Sequence, residues 1–137
     1  MATAINSTEA KGSSESTVYD DHKEVMANEG MLEVLLAQVD AILPLEIDAI
    51  KTALRGIDSP RILDVGCGSG VFFLKLAPML PASTKFVGID LEPRLLEVAK
   101  AEASKLGIAD RCEFLEMDAC TLSLLDDDSF DLVLNRH

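Results

Sequence analysis

Hydrophobic residues between positions 21 and 56 recur every three or four residues, which is the period of a helix that buries one face. A first helix is predicted to begin near Asp21, because Asp21 and Glu24 have the spacing of a capping box, and Gly30 can divide it. Since proline has no N–H to donate, Pro44 is expected to end that helix and to open a second one. Gly56 is suited to end the second helix. The apolar stripes are Leu32, Leu35, Leu36, Val39, Ile42 and Leu43 in the first helix, and Ile47, Ile50 and Leu54 in the second.

After residue 60 the pattern changes to short apolar runs that alternate with amphipathic segments. Strands are predicted over residues 62–65, 85–89, 112–117 and 130–134, and helices over 71–80 and 93–106. Strands that alternate with helices favour right-handed crossovers and a parallel sheet, so the predicted fold class is α/β. We therefore divide the chain into a disordered Ser/Thr-rich tail (residues 1–18), a helical segment (19–58) and a sheet domain (59–137).

Composition narrows the partners and the compartment. The chain has 24 acidic residues against 12 Lys and Arg, a formal net charge of -12, so a phosphate backbone would repel it and no nucleic-acid partner is expected. Its cysteines, Cys67, Cys112 and Cys120, lack metal-ligand spacing, which favours a reduced protein. No secretory signal is visible, and no apolar run approaches the ~20 residues that span a bilayer. We expect a cytoplasmic protein without a membrane partner.

The sequence Arg-Ile-Leu-Asp-Val-Gly-Cys-Gly-Ser-Gly, residues 61–70, carries the strongest chemical signal. A predicted strand with a carboxylate at Asp64 leads into glycines at alternate positions and then into a helix. Such a strand, glycine turn and helix N-terminus form a cradle in which the backbone can lie against a nucleotide-like ligand. The turn therefore predicts a small cofactor that bears adenine.

Four acid or amide residues stand at the carboxyl ends of the predicted strands: Asp64, Asp90, Asp118 and Asn135. Ligands of open α/β sheets bind at that edge, so these side chains are expected to converge. Asp90 lies 24 residues beyond Gly66, close to the spacing of an acid that binds ribose hydroxyls. The alternative, that Asp90 only caps the helix beginning at Pro93, is open at this level.

These segments resemble, in order, four motifs of class I S-adenosylmethionine-dependent methyltransferases. The glycine motif is Asp-Val-Gly-Cys-Gly-Ser-Gly at residues 64–70, and the acidic-loop motif is Gly-Ile-Asp-Leu at 88–91. Phe-Leu-Glu-Met-Asp-Ala at 114–119 resembles the adenine-binding motif, and Ser-Phe-Asp-Leu-Val-Leu at 129–134 the strand that follows. The resemblance covers residues 61–135, about half of the chain. It implies a Rossmann-like parallel sheet with helices on both faces, and S-adenosyl-L-methionine as the cofactor.

The resemblance also implies roles for individual residues. The glycines would let the backbone approach the methionine part of the cofactor, Asp64 would orient its amino group, and Asn135 would lie near the methyl acceptor. Asp90 would hold the ribose hydroxyls, with Leu91 against the adenine. Asp118 would accept from the adenine amino group, with the backbone of Ala119 alongside. Ten residues are assigned to the cofactor in this way: Asp64, Gly66, Cys67, Gly68, Gly70, Asp90, Leu91, Asp118, Ala119 and Asn135.

Other ligands fit the sequence less well. A nicotinamide dinucleotide favours Gly-x-Gly-x-x-Gly, which would place glycine at position 71, where this chain has Val71. The acidic run at residues 126–128 is expected to be solvated, so no metal site is predicted. No catalytic residue is assigned.

Family members usually continue beyond this region to a sheet of seven strands, whereas this chain stops after the fourth predicted strand. It therefore resembles the N-terminal half of the catalytic domain. The fourth strand, with Phe130, Leu132, Val133 and Leu134, would form an apolar edge, and such an edge favours self-association or a partner. The function implied is methyl transfer to a small-molecule acceptor. The alternative is a non-catalytic module that binds the cofactor or a partner.

Overall fold

The computed structural model describes residues 29–122 and 124–136. The predicted tail over residues 1–18 and the predicted helix start at Asp21 lie outside that range. The helices are α1 (Glu29–Ala53), α2 (Val71–Leu76) and α3 (Pro93–Lys105), with 3-10 turns at Ala77–Met79 and Ala109–Arg111. The strands are β1 (Arg61–Val65), β2 (Lys85–Asp90), β3 (Cys112–Glu116) and β4 (Leu132–Asn135).

The strands form one parallel sheet in the order β3-β2-β1-β4, which confirms the predicted α/β class. The register pairs Asp64 with Gly88, Val65 with Asn135 and Asp90 with Glu116. All four strands therefore end at one edge of the sheet. The acid and amide residues at the strand ends are brought together by this register.

Two predicted boundaries move by a few residues. The predicted helix over 71–80 is α-helical only to Leu76, and Pro78 lies in the 3-10 turn that follows, where its missing N–H costs less. The fourth strand begins at Leu132, two residues later than predicted, and the preceding Asp131 is hydrogen-bonded to the first residue of β1. Its carboxylate accepts from the Arg61 N–H at 2.8 Å, and its own N–H donates to the Arg61 carbonyl at 2.9 Å.

The prediction of two helices divided at Pro44 is wrong, because α1 continues from Glu29 to Ala53 with Pro44 inside it. Leu43 and Ile47, four residues apart across the proline, are both buried in the core. Pro44 itself is exposed, so water can solvate the carbonyl that it leaves without a helical donor. Packing of a continuous apolar face thus outweighs the local cost of proline. Among the described residues, no helix combines the length and the hydropathy that crossing a bilayer requires.

The helices of the described chain share one face of the sheet, whereas the sequence predicted helices on both faces. Side chains of α1, α2 and α3 form a single core cluster with the sheet residues Ile62, Phe86 and Phe114. In this cluster Phe73 of α2 packs on Phe86, with ring centroids 4.8 Å apart. The opposite face is covered by Met117, Leu125 and Phe130 from the segment between β3 and β4. The crossover after β3 contributes no helix within the described residues, so that face has a thinner cover.

Replacing Gly88 with alanine tests the packing between β2 and the glycine turn. A Cβ atom at Gly88 would lie 2.7 Å from the Cys67 sulfur and 3.0 Å from Phe114 Cδ1. Because both neighbours are buried, we expect Gly88→Ala to reduce the free energy of unfolding by about 1–3 kcal/mol in urea denaturation. Cys67→Ala in the same chain should recover part of that loss, since it removes the closest atom. Equal losses in the single and double variants would contradict the proposed clash.

Candidate functional site

The glycine turn is attached to the end of β2 by its backbone. The N–H groups of Gly66 and Cys67 both donate to the Ile89 carbonyl, each at 2.9 Å. The φ angles are 76° at Gly66, 54° at Gly68 and 70° at Gly70, values that residues with a Cβ atom rarely adopt. The alternate spacing of the glycines in the sequence therefore corresponds to three left-handed positions in one turn.

The space that a side chain would have differs among the three glycines. A Cβ at Gly66 would have no heavy atom within 4 Å, and one at Gly68 would meet only Leu95 Cδ1, at 3.9 Å. At Gly70, by contrast, Ala99 Cβ and Phe114 Cε1 would both lie at 3.0 Å. Gly70 thus lets α2 approach α3 and the sheet. Gly66 and Gly68 leave backbone accessible to a ligand.

Asp64 is a buried carboxylate at the end of β1. Only 3% of its surface is exposed, and its Oδ1 atom has no hydrogen-bond partner among the described residues. Burial, reinforced by the nearby negative charge of Asp90, raises the pKa of Asp64 to about 7. Such a group is costly in the ionised form unless a cation or a donor reaches it. The ionised form of Asp64 would therefore be stabilised by a positively charged group placed beside it.

Cys67 lies inside the turn but is chemically inert there. The side chain is buried, and its thiol points toward the Gly68 carbonyl at 3.7 Å. Burial, together with the negative charges of Asp64 and Asp90, raises the pKa of the thiol far above its ordinary value. Because the thiolate is the nucleophilic form, Cys67 acts by packing rather than by attack.

Asp90 holds the glycine turn from the end of β2. Its Oδ2 accepts the Gly68 N–H at 2.8 Å, and its Oδ1 accepts the Glu92 N–H at 2.9 Å. The cap of α3 is Glu92, whose side chain accepts the Arg94 N–H at 3.2 Å, so the helix-cap alternative for Asp90 is wrong. Each Asp90 oxygen keeps a lone pair, which suits the carboxylate to accept from a pair of hydroxyl groups.

The residues assigned to adenine lie on an open surface beside Asp90. The Met117 N–H donates to the Asp90 carbonyl at 3.0 Å, which brings the end of β3 next to the end of β2. Asp118 and Ala119 are exposed, and Leu91 is 56% exposed. One Asp118 oxygen accepts the Cys120 N–H at 2.8 Å. This part of the site is a shallow shelf.

A cavity of about 190 Å³ lies against the glycine turn. Of the residues predicted from the sequence, Asp64, Gly66, Cys67 and Gly68 line it. The rest of its wall is mostly apolar and comes largely from α1, α2 and α3. These further lining residues are Leu35, Gln38, Val39, Ile42, Ser69, Val71, Phe72, Leu95 and Arg136. The site thus has an enclosed part at Asp64 and an open part at Asp90 and Asp118.

Asn135 and Arg136 complete the edge at the end of β4. Asn135 donates from Nδ2 to the Val65 carbonyl at 3.1 Å, so its side chain joins β4 to β1 and does not line the cavity. Arg136 lines the cavity, stacks over the Phe72 ring at 4.1 Å from its centroid, and forms an ion pair with Glu46 of α1. Burial lowers the pKa of Arg136 from its ordinary value.

Sequence reasoning missed Arg136, and it did not identify which residues of α1 line the cavity. The residues Leu35, Val39 and Ile42 were predicted as a helical stripe, but a stripe does not distinguish a cavity wall from a core contact. Arg136 carries only one signal in the sequence, its position directly after the fourth strand. Ser69 lies within the glycine turn, and its buried Oγ has no partner among the described residues.

Two methyltransferases of known type are similar to this chain in sequence. The release factor glutamine methyltransferase of Chlorobaculum tepidum is 36% identical over 108 residues, which cover 75% of this chain and 36% of that protein. The UbiE ubiquinone/menaquinone biosynthesis C-methyltransferase of a Geobacter species (strain M21) is 37% identical over 81 residues, or 59% of this chain and 33% of that protein.

A solved structure is also similar. The S-adenosylmethionine-dependent methyltransferase of Geobacter sulfurreducens, crystallised with S-adenosyl-L-homocysteine, matches with a TM-score of 0.53 and 30% identity. The match covers 67% of this chain and 35% of that one. This chain therefore spans about a third of the length of these relatives.

The family itself is established by its sequence model. The model of the methyltransferase domain matches residues 62–137, more than half of the 137 residues. The matched region contains the glycine turn and the parallel strands that carry Asp64, Asp90 and Asn135. The resemblance to class I S-adenosylmethionine-dependent methyltransferases is thereby confirmed, and this chain belongs to the methyltransferase-domain family.

Proposed function

We propose that this chain binds S-adenosyl-L-methionine and provides the cofactor site of a methyltransferase that acts on a small-molecule acceptor. The observation that carries the proposal is the buried Oδ1 of Asp64, which has no partner among residues 29–122 and 124–136 and lies beside an open glycine turn. The amino group of the cofactor's methionine part is a cation that this carboxylate can accept. The net charge of -12 also favours a ligand whose sulfonium and ammonium groups are both positive.

The remaining residues suit the other parts of the cofactor. The accessible backbone of Gly66 and Gly68 permits close contact with the methionine chain. Asp90 is already oriented by the Gly68 N–H and can accept the ribose hydroxyls. Leu91, Asp118 and Ala119 offer a shelf for adenine. Of the ten residues assigned to the cofactor, Gly70 and Asn135 have structural roles, in packing and in joining β4 to β1.

In such an arrangement the protein acts mainly by positioning. The cofactor, when bound, supplies a methyl group on a sulfonium, and the neutral thioether that remains after transfer is a good leaving group. The chain then has to hold the donor at the strand edge, exclude water, and admit an acceptor in line with the methyl group. The α1 residues that wall the cavity serve the exclusion of water. The proposal requires no nucleophile from the protein, in keeping with the inert thiol of Cys67.

A small acceptor is supported by the apolar side chains that α1, α2 and α3 contribute to the cavity wall. These side chains do not match the charged methionine part of the cofactor, and they suit a compact apolar molecule beside it. The relatives vary in this respect, since one is named for release factor glutamine and another for quinone biosynthesis. Incubation of the chain and labelled donor with separate metabolite and protein extracts tests the acceptor class. Label in protein alone would contradict a small acceptor, and intact cofactor binding without any transfer would favour a non-catalytic module.

Replacing Asp90 with alanine tests the ribose contact. Because a charged hydrogen bond is worth about 1.5–3 kcal/mol, we expect Asp90→Ala to weaken S-adenosylmethionine binding roughly ten- to a hundredfold in calorimetry. Asp48→Ala, at an exposed position of α1, is the matched control and should bind normally.

A loss of binding could also follow from collapse of the glycine turn, which Asp90 supports. Titration with 5′-methylthioadenosine and its 2′-deoxy analogue separates the two effects. The missing hydroxyl should weaken binding to the wild type but not to Asp90→Ala, because the variant lacks its partner. An equal effect of the deoxy substitution in both chains would contradict the ribose contact.

Asp64 predicts a stability that depends on pH in the chain without cofactor. The pKa of Asp64 is about 7 in the folded chain, above the ordinary value of 3.8, so the Asp64 carboxyl keeps its proton to a higher pH in the folded state than in the unfolded state. Stability from this group is therefore complete below pH 4 and is lost as pH rises to 7. We expect Asp64→Asn to be more stable than the wild type at pH 8, by up to about 4 kcal/mol, and nearly equal at pH 4.

The same substitution should abolish the pH dependence of cofactor binding. In the wild type, affinity should fall as pH decreases below 7, because protonation removes the charge that meets the cofactor's amino group. Asp64→Asn should bind weakly at every pH. Denaturation and calorimetry at pH 4 to 8 measure both effects, with Asp48→Asn as the control. Lower stability of Asp64→Asn at pH 8 would show that its oxygen has a protein partner.

A further inference from the structure

Arg136 is the only cation among the described residues that line the cavity at the glycine turn. The wall around it is mostly apolar, and the opposite charge is provided by the buried carboxylate of Asp64. An arginine side chain with 27% of its surface exposed has lost much of its hydration. Such a guanidinium requires acceptors within the protein or on a ligand.

The protein supplies only part of what Arg136 can bind. Its Nη2 pairs with the Glu46 carboxylate, whereas its buried Nε has no partner among the described residues. The guanidinium carbon lies over the Phe72 ring, 4.1 Å from its centroid. The ring does not satisfy the buried Nε donor, which shares an edge of the guanidinium with the Nη2 atom that Glu46 holds. A carboxylate is the ligand that matches an arginine edge, since its two oxygens can accept in parallel.

We propose that Arg136 binds a carboxylate of a ligand in this cavity, and that Glu46 competes with that ligand for the guanidinium. Two molecules can bring the carboxylate. One is the cofactor, whose methionine part carries a carboxylate next to the amino group assigned to Asp64. The other is the acceptor, which would then be an apolar acid. The first source rests on the proposed function, whereas the second can be tested in the chain without cofactor.

Glu46 provides the diagnostic variant. Its side chain is 40% exposed and can turn into solvent when another carboxylate arrives. If Arg136 binds a ligand, Glu46→Gln removes the competitor and should tighten binding, whereas Arg136→Gln should weaken it. If Arg136 only joins β4 to α1, both substitutions break the same ion pair and should act in the same direction.

The experiment compares ligands with and without a carboxylate on the full 137-residue chain. S-adenosylhomocysteine and 5′-methylthioadenosine are titrated by calorimetry; the second lacks the amino-acid part. Benzoate and benzamide are titrated by NMR into the chain with and without S-adenosylhomocysteine, since both fit an apolar wall. The variants are Arg136→Gln, Arg136→Lys and Glu46→Gln, with the exposed Arg55→Gln as control and thermal unfolding to verify each fold.

A carboxylate on the cofactor predicts about tenfold weaker S-adenosylhomocysteine binding by Arg136→Gln, with 5′-methylthioadenosine unchanged. If the acceptor brings the carboxylate, S-adenosylhomocysteine binding should be unchanged in Arg136→Gln. The affinity for benzoate should then fall in Arg136→Gln and rise in Glu46→Gln, and the wild type should bind benzoate more tightly than benzamide. Arg136→Lys should retain part of the affinity, because lysine keeps the positive charge but lacks the planar pair of N–H donors.

The proposal is overturned if Arg136→Gln changes neither S-adenosylhomocysteine nor benzoate binding, or if Glu46→Gln weakens binding as Arg136→Gln does. Failure of the proposed function has a different signature, which is that the wild type binds neither nucleoside. In that case the benzoate titration of the chain alone decides, and absence of benzoate binding overturns the proposal.

Discussion

The site depends on the parallel pairing of β1 with β2. This pairing brings the Ile89 carbonyl to the position where the N–H groups of Gly66 and Cys67 can both reach it. It also brings the Asp90 carboxylate to the Gly68 N–H. Three bonds therefore hold the glycine turn against the end of its neighbouring strand. Without this register, the left-handed backbone of the turn would lose its three hydrogen bonds to β2.

The same arrangement explains why the site is costly to maintain. The sheet and its helices bury Asp64, and no described residue gives its Oδ1 a partner, while Asp90 adds a second negative charge nearby. The chain thus has a carboxylate whose ionisation opposes folding and favours a cationic ligand. Arg136 lines the same cavity, and its buried Nε is also without a partner in the part of the chain that the structure describes. The unsatisfied groups are concentrated where the proposed ligand would bind.

Sequence reasoning succeeded where the local pattern determines the structure. The short apolar runs identified all strands of the described sheet, and alternate glycines identified the turn, because left-handed backbone favours glycine. It was wrong where long-range packing outweighs a local preference. Pro44 does not divide α1, since Leu43 and Ile47 on either side of it are buried in one core. The sequence left open whether Asp90 only caps α3, and the structure decided this point, because Glu92 is the cap.

The sequence by itself determined the fold class, the turn and the acids at the strand ends, since these depend on residue types at short spacings. Only the tertiary structure decided which of those residues share an enclosed space. It separated Asp64, which lines the cavity, from Asp118, which is exposed, although both follow the same sequence rule. It also brought Glu46, Phe72 and Arg136 together from distant parts of the chain. Such contacts arise from packing of α1 and α2 at the strand edge, which no local pattern of residues encodes.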